Sequence, residues 1–158
     1  MSGPGAGGPA GDDGPAVAVA DLQARPIDPD ALARLAAGVL RAEGRTDVAL
    51  SVTVVDDERM AALHVEYSGV EGPTDVLAFP LLDPDDPPTD EPPLLGEVVV
   101  SADTAAREAT ARGLAFEREL GLYVVHGVLH LLGWDDQDDD DRARMHARQE
   151  ALLDALLA

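Results

Sequence analysis

Apolar residues recur along the chain with two different spacings, and each change of spacing coincides with a short polar segment. Between residues 48 and 54, apolar residues alternate with smaller or polar ones, which is typical of a half-buried strand. Between residues 32 and 40, apolar residues return every three or four positions, as on one face of a helix. Asp28 and Pro29 favour a helix start and Gly44 a helix end, so this segment is predicted to be helical.

Shorter patterns predict three more strands and two more helices. The predicted strands are residues 16–20, 76–79 and 96–100. Because Pro73 and Pro80 flank the second of these strands, it suits the edge of a sheet. The predicted helices begin at Asp56 or Asp57 and at Ser101 or Asp103, and the second of them runs to Arg112.

The most apolar helix is predicted from residue 116 to 132, and its few polar positions indicate a central, buried place in the fold. Gly121 and Gly127 each lower its intrinsic helix propensity by up to about 1 kcal/mol relative to alanine. We therefore expect a neighbouring backbone to approach closely there. Gly133 is suited to end the helix, and residues 138–157 form a last amphipathic helix.

This order of elements predicts a single α+β domain, in which a small mixed four-stranded sheet is covered by helices. The domain is expected to span residues 16–158. Residues 1–15 consist mainly of Gly, Pro and Ala and are predicted to be a disordered tail. Residues 83–93, rich in Asp and Pro, are predicted to be a mobile loop between strands.

The amino-acid composition limits which metal ligands and which binding partners the protein can have. The chain has no cysteine, so a metal would be held by histidine and carboxylate side chains. Its 11 basic residues, all arginine, face 31 acidic ones, and the formal net charge of -20 argues against broad affinity for nucleic acid. The first residues lack the pattern of a secretory signal, and no apolar run reaches the roughly 20 residues of a membrane span. We therefore expect a soluble cytoplasmic protein without a membrane partner.

His126 and His130 lie four residues apart in the apolar helix, which places both imidazoles on one face. The turn at Gly133 lets the side chain at position 136 face the same metal. A histidine pair on an apolar face is also compatible with two core histidines that bind no ion. A third ligand and the surrounding sequence motif decide whether the pair binds a metal or belongs to the core.

The segment from His126 to Asp136 reads His-Gly-Val-Leu-His-Leu-Leu-Gly-Trp-Asp-Asp. It resembles the signature of the YbeY family, bacterial metal-dependent endoribonucleases of ribosomal RNA maturation. A second family element, Pro-Thr-Asp-Val-Leu-Ser-Phe-Pro, is matched by residues 73–80 with Ala78 in place of serine. A third, a Gly-Asp/Glu-aliphatic strand, is matched by residues 96–101, so the resemblance covers roughly residues 47 to 150.

The resemblance implies a YbeY-like metallohydrolase domain with a zincin-like histidine helix and one zinc ion per chain. It also implies cleavage of single-stranded ribosomal RNA near the three-prime end of the small-subunit RNA, and a part in ribosome quality control. The expected partners are that RNA and the ribosome or ribosomal proteins.

Two positions depart from the family pattern. Asp136 stands where the family has a third histidine ligand, and Ser68 stands where it has a functional arginine. Two histidines and a carboxylate form a known metal triad, so we expect Asp136 to ligate the metal. Aspartate is shorter than histidine, so the turn must then lie closer. Asp135 or Asp138 could substitute for Asp136, and His146 is a remote alternative.

The catalytic residues remain open. In the protease motif His-Glu-x-x-His the residue after the first histidine is the general base, and here it is Gly127, so a peptidase would lack its base. Asp135, Asp75 and Glu97 are candidates to activate water. Thr74, Arg107 and Arg112 are candidate substrate contacts, although both arginines also suit a solvated helix face. Alternative functions are a ribosome-assembly factor with weakened or lost catalysis and a metallohydrolase of another substrate.

Overall fold

The computed structural model of the protein describes residues 14–83, 85, 87 and 90–157. Most of the predicted disordered tail and four positions of the predicted 83–93 loop lie outside these described residues. The described chain forms strands β1 (Ala16–Asp21), β2 (Ala49–Val55), β3 (Val76–Pro80) and β4 (Leu94–Ser101). Its helices are α1 (Pro29–Ala42), α2 (Asp57–Ser68), α3 (Ala102–Arg112), α4 (Phe116–Leu131) and α5 (Asp139–Leu156). The predicted order of elements is confirmed.

The four strands form one mixed sheet in the order β1-β2-β4-β3. β1, β2 and β4 run parallel, and β3 is antiparallel to β4 at the sheet edge, as its flanking prolines predicted. Val98 is paired with Val52 on one side and with Ala78 on the other, which places β4 in the interior of the sheet. The predicted α+β architecture is confirmed.

Different helices pack against the two faces of the sheet. Val52, Val98 and the other valines of the inner face pack into the main core with α1, α4 and α5. Val55 and Val99 point to the outer face, where they form a smaller cluster with Met60 of α2. α4 contacts α1, α3, α5, β3 and β4, so the predicted central position of this helix is confirmed. None of the helices in the described ranges has the length and apolarity needed to cross a membrane.

Both glycines of α4 lie where a neighbouring element comes close. A Cβ atom added at Gly127 would lie 2.5 Å from Cγ1 of Val98 and 3.2 Å from Cγ2 of Val76. A Cβ atom added at Gly121 would meet only leucine methyl groups, the nearest being Cδ2 of Leu35 at 3.0 Å. The sequence predicted that a neighbouring backbone comes close at these glycines, whereas the atoms that come close belong to side chains. Gly127 lets α4 pack tightly against Val98 of the sheet.

A partly buried hydrogen-bond network joins the start of α2 to α3. The carboxylate of Asp57 accepts hydrogen bonds from Ser101 Oγ at 2.7 Å and Thr104 Oγ1 at 2.8 Å, and it also pairs with Arg107. Burial alone would raise the pKa of Asp57, but these hydrogen bonds, led by the one from Arg107, bring it below its ordinary value. The charged carboxylate therefore stabilises the folded state.

We expect Gly127→Ala to destabilise the protein by about 1–3 kcal/mol, because Val98 is β-branched and cannot move away from the added methyl group. Gly121→Ala is the matched control on the same helix, since the leucine ends that it meets can shift. Urea denaturation of the two variants measures the difference. Equal stability of both variants would contradict the packing account.

The unfolding free energy should fall as the pH is lowered from about 5 to below about 3. Asp57 and Asp103 have depressed pKa values in the folded state, so their stabilisation is present above the unfolded-state pKa and is lost as each becomes protonated. Asp57→Asn should make this pH dependence shallower. Urea titrations at several pH values measure the unfolding free energy of both proteins. If the substitution leaves its dependence on pH unchanged, the network around Asp57 does not stabilise the fold.

Candidate metal centre and cleft

The last two turns of α4 present the two histidines on one face, as their spacing predicted. The Nε2 atoms of His126 and His130 are 3.0 Å apart. The two rings meet edge to face, with centroids 4.5 Å apart. Two imidazole nitrogens are therefore directed at one point beside the helix.

The turn after α4 returns the chain to this point. Gly133 adopts a positive φ of 98°, and the N–H of Trp134 donates to the carbonyl of Leu129 at 3.0 Å. Asp136 then faces the histidines, with Oδ2 lying 3.4 Å from Nε2 of His130 and 3.8 Å from Nε2 of His126. The structure thus brings together the three residues predicted as a metal triad.

The three ligand atoms have the spacing that a small divalent cation requires. Ligands at about 2.0–2.1 Å around a tetrahedral zinc ion are separated from one another by about 3.3–3.5 Å. The observed separations of 3.0, 3.4 and 3.8 Å bracket this value. The three side chains are 28%, 32% and 38% exposed, so solvent or a substrate can reach a fourth position. The donor set therefore fits a metal ion such as zinc.

Gln149 of α5 orients the first histidine. Its Oε1 lies 3.0 Å from Nδ1 of His126, and its side chain is buried. An amide oxygen can only accept, so Nδ1 carries the proton and Nε2 keeps its lone pair for the metal. In the metal-free protein that lone pair can accept a hydrogen bond from Nε2 of His130. A partner of this kind is the usual way in which a protein fixes a metal-binding imidazole.

A cleft of about 570 Å³ opens beside His126. Its walls come from the entrance to β3, from α3, from the first three turns of α4 and from α5. Four residues predicted as catalytic or substrate-binding lie in these walls, namely Thr74, Asp75, Arg107 and Arg112. His146 also lines the cleft but is not part of the metal-ligating group.

The two arginines of the cleft differ in how firmly they are held. Arg107 is hydrogen-bonded to Asp57 and to Thr104, and its pKa is raised chiefly by the bond to Asp57. Arg112 lies 3.5 Å from Glu108 and 3.6 Å from Glu119, which exceeds ordinary hydrogen-bond length, and its side chain is 54% exposed. Arg112 is therefore the arginine that can turn toward an anion more easily.

Two polar residues of α4 extend the histidine face along the cleft. Glu119 is almost completely buried and has Arg112 as its counter-charge. Tyr123 is buried too, and burial, reinforced by the nearby Glu119 carboxylate, raises its pKa well above the ordinary value. Tyr123 consequently stays protonated at neutral pH and can act as a hydrogen-bond donor but not as a base.

Other candidates from the sequence lie outside this cleft. Asp135 is exposed and accepts a hydrogen bond from the N–H of Gln137 at 3.0 Å. Glu97 points to the outer face of the sheet, where Thr53 Oγ1 donates to it at 2.7 Å. Asp138 caps α5 by accepting from the N–H of Asp141 at 2.7 Å.

Ser68, which stands where the family pattern has an arginine, is the last residue of α2. The Ser68 hydroxyl donates to the carbonyl of His64 at 2.7 Å, which is a local contact within the helix. The ring of His64 contacts the carbonyl of Gly72 instead of joining the metal-ligating group. Neither residue is among those lining the cleft.

Sequence reasoning missed Gln149, Glu119 and Tyr123. Glu119 and Tyr123 precede His126 by seven and three residues, so helical periodicity alone could have placed them on its face. No sequence pattern pointed to Gln149, because its contact with His126 depends on how α5 packs against α4.

Comparisons with known proteins agree with the geometry. The sequence model of the family described as Endoribonuclease YbeY matches residues 19–157. The Endoribonuclease YbeY of Thermobifida fusca is 44% identical over 139 residues, covering 85% of this chain and 90% of the relative. That of Symbiobacterium thermophilum is 44% identical over 114 residues, covering 70% of this chain and 73% of the relative.

A solved structure is also similar. The solution structure of TM1509 from Thermotoga maritima superposes with a TM-score of 0.61 at 26% sequence identity. The match covers 88% of this chain and 89% of that one. The family model and the two relatives confirm the resemblance drawn from the three sequence elements, and the solved structure agrees with the fold.

Gln149→Leu should remove the tautomer preference of His126 and weaken metal binding by about 10- to 100-fold. Nitrogen NMR shifts of the metal-free protein report the tautomer, and titration with a competing chelator reports the affinity. Gln149→Glu keeps the acceptor and should preserve the tautomer. If Gln149→Leu leaves both readouts at their wild-type values, Gln149 has no orienting role.

Proposed function

The chain belongs to the YbeY family of endoribonucleases, and on that premise we propose that it is a zinc-dependent endoribonuclease that cleaves single-stranded ribosomal RNA. The proposed setting is maturation of the three-prime end of the small-subunit RNA and ribosome quality control. One zinc ion per chain would be held by His126, His130 and Asp136. The ribosome or ribosomal proteins are the proposed partners, and the cytoplasm is the proposed location.

The observation that carries this proposal is the triad beside a cleft whose wall includes its first histidine, His126. The triad has the donor set of a hydrolytic zinc site, in which three protein ligands leave one position open. The same cleft is lined by hydroxyl, carboxylate and guanidinium groups. These are the groups that can orient a phosphodiester and move a proton.

A zinc ion bound by the triad would supply positive charge beside a phosphodiester oxygen and would acidify a water molecule. The chain's own residues would orient that water and accept its proton. Asp75 suits this role better than Asp135, because Asp75 lies in the cleft whereas Asp135 lies outside it. Asp75 is itself oriented by the N–H of Val76, which donates to Oδ1 at 2.8 Å.

Arg112 and Thr74 are the proposed phosphate contacts. Arg112 is only loosely paired with the exposed Glu108, so it can exchange that carboxylate for a phosphate oxygen while it stays near the buried Glu119. Arg107 contributes more to the wall than to binding, because Asp57 and Thr104 already hold its guanidinium. The protonated hydroxyl of Tyr123 can donate in the same region.

The electrostatics favour a short single-stranded segment over a duplex. A formal charge of -20 repels a long phosphate backbone, and among the residues that the structure describes the cleft is lined by two arginines. A flexible single strand can place one phosphate in the cleft and keep its remaining phosphates away from the acidic surface. The substrate would therefore be recognised locally.

Purified wild-type protein should contain about one zinc ion per chain and cleave a single-stranded RNA oligonucleotide. His126→Ala and His130→Ala should lose the metal, with cleavage falling at least about 100-fold. Asp136→Ala should lower both metal content and cleavage, because it removes the carboxylate ligand. Elemental analysis and gel assays of the same preparations measure both quantities.

Asp135→Ala is the control for Asp136→Ala, because it alters the neighbouring carboxylate without touching the cleft. It should keep the metal and the activity. Cleavage that persists in the His126→Ala, His130→Ala double variant would exclude this site as the nuclease centre. A wild-type protein that binds metal but cleaves no RNA would favour the assembly-factor alternative.

A further inference from the structure

Asp136 is held at the metal-ligating position without a support of its own. Within the described chain, its carboxylate accepts no hydrogen bond, and its Oδ2 lies 3.4 and 3.8 Å from the two histidine nitrogens. The first histidine, by contrast, has Gln149 to fix its ring. The placement of Asp136 therefore depends on the backbone of the turn that carries it.

A distant carboxylate anchors that turn. The indole Nε1 of Trp134, two residues before Asp136, donates to Oε1 of Glu43 at 2.8 Å. The Trp134 ring also packs against the main core, which fixes the plane of the indole. Glu43 caps the C-terminus of α1, and its side chain is only 14% exposed.

Glu43 is itself held from the other side. Its Oε2 accepts from Nε of Arg148 at 2.9 Å and lies 2.7 Å from NH2 of the same guanidinium. Because Arg148 bonds to Oε2 and the Trp134 indole bonds to Oε1, the two partners together fix the carboxylate in both position and plane. Arg148 belongs to α5 and directly precedes Gln149, so one carboxylate joins α1, the turn and α5.

We propose that Glu43 and Trp134 are positioning residues that set the distance between Asp136 and the two histidines. This inference rests on the proposed metal site. An aspartate reaches less far than the histidine that the family signature has at this position, so a small outward shift of the turn would break its bond to the metal. The indole–carboxylate bond holds the turn at the distance that the short side chain needs.

The test compares metal affinity in four proteins. These are the wild type, Trp134→Phe, Glu43→Gln and, as a matched control, Glu150→Gln. Trp134→Phe keeps an aromatic ring in the core but removes the N–H donor. Glu150→Gln removes a carboxylate that pairs with Arg118 between α4 and α5 and does not touch the turn.

Zinc affinity from competition with a chelator should fall about 10- to 100-fold in Trp134→Phe and in Glu43→Gln. Glu150→Gln should bind as the wild type does. The visible spectrum of bound Co²⁺ should change in Trp134→Phe toward that of Asp136→Ala, because both lose carboxylate coordination. Thermal unfolding of each metal-free protein separates a loss of affinity from a loss of folding.

The decisive comparison repeats Trp134→Phe in the Asp136→Ala background. If Trp134 acts through Asp136, the second change should leave the remaining affinity within about twofold. An equal loss in both backgrounds, or no loss in Trp134→Phe itself, would overturn the positioning role. A wild-type protein that binds no metal would instead overturn the proposed function, and the inference with it.

Discussion

The distance between the two imidazole Nε2 atoms, 3.0 Å, is the constraint on which the rest of the site depends. Two nitrogen lone pairs directed at one point repel each other unless a proton or a cation lies between them. In the metal-free protein Nε2 of His130 can donate a proton to Nε2 of His126, and the pair is held in place because α4 packs on the sheet at Gly127 and Gln149 holds the first ring. The third ligand then has one position available, and the turn at Gly133 brings the chain there. The packing of α4 thus determines where the proposed metal ligands lie.

The chain is strongly acidic, yet its proposed substrate, RNA, is negatively charged too, and the arginines of the cleft explain how the two can bind. These arginines are paired with carboxylates in the free protein, Arg107 closely and Arg112 loosely. The exposed pair of Arg112 with Glu108 is weak in water, so the guanidinium can leave that carboxylate for an incoming anion at little cost while it stays near the buried Glu119. The rest of the surface keeps its negative charge, which opposes unspecific attachment to nucleic acid.

Much of the fold was predictable because it rests on local patterns. Asp28 and Ser101 cap helices at the positions that the sequence indicated, and β3 is an edge strand as its prolines required. The histidine pair followed from helical periodicity alone. The strand order β1-β2-β4-β3 and the contacts of Gln149 and Glu43 did not, because they join segments far apart in the sequence. The sequence also offered Glu97 as a base candidate, but strand alternation turns its side chain to the opposite face of the sheet.

The origin of the site residues has a consequence for assembly. The histidines come from α4, their orienting amide from α5, and the anchor of the third ligand from α1, more than 80 residues earlier in the chain. An unfolded or half-folded chain would offer the three ligands without these supports, so a cation would bind the native state more tightly. By mass action, such a cation stabilises the complete fold more than an intermediate that lacks α5. Metal occupancy would then report whether the last helix of a newly made chain has docked.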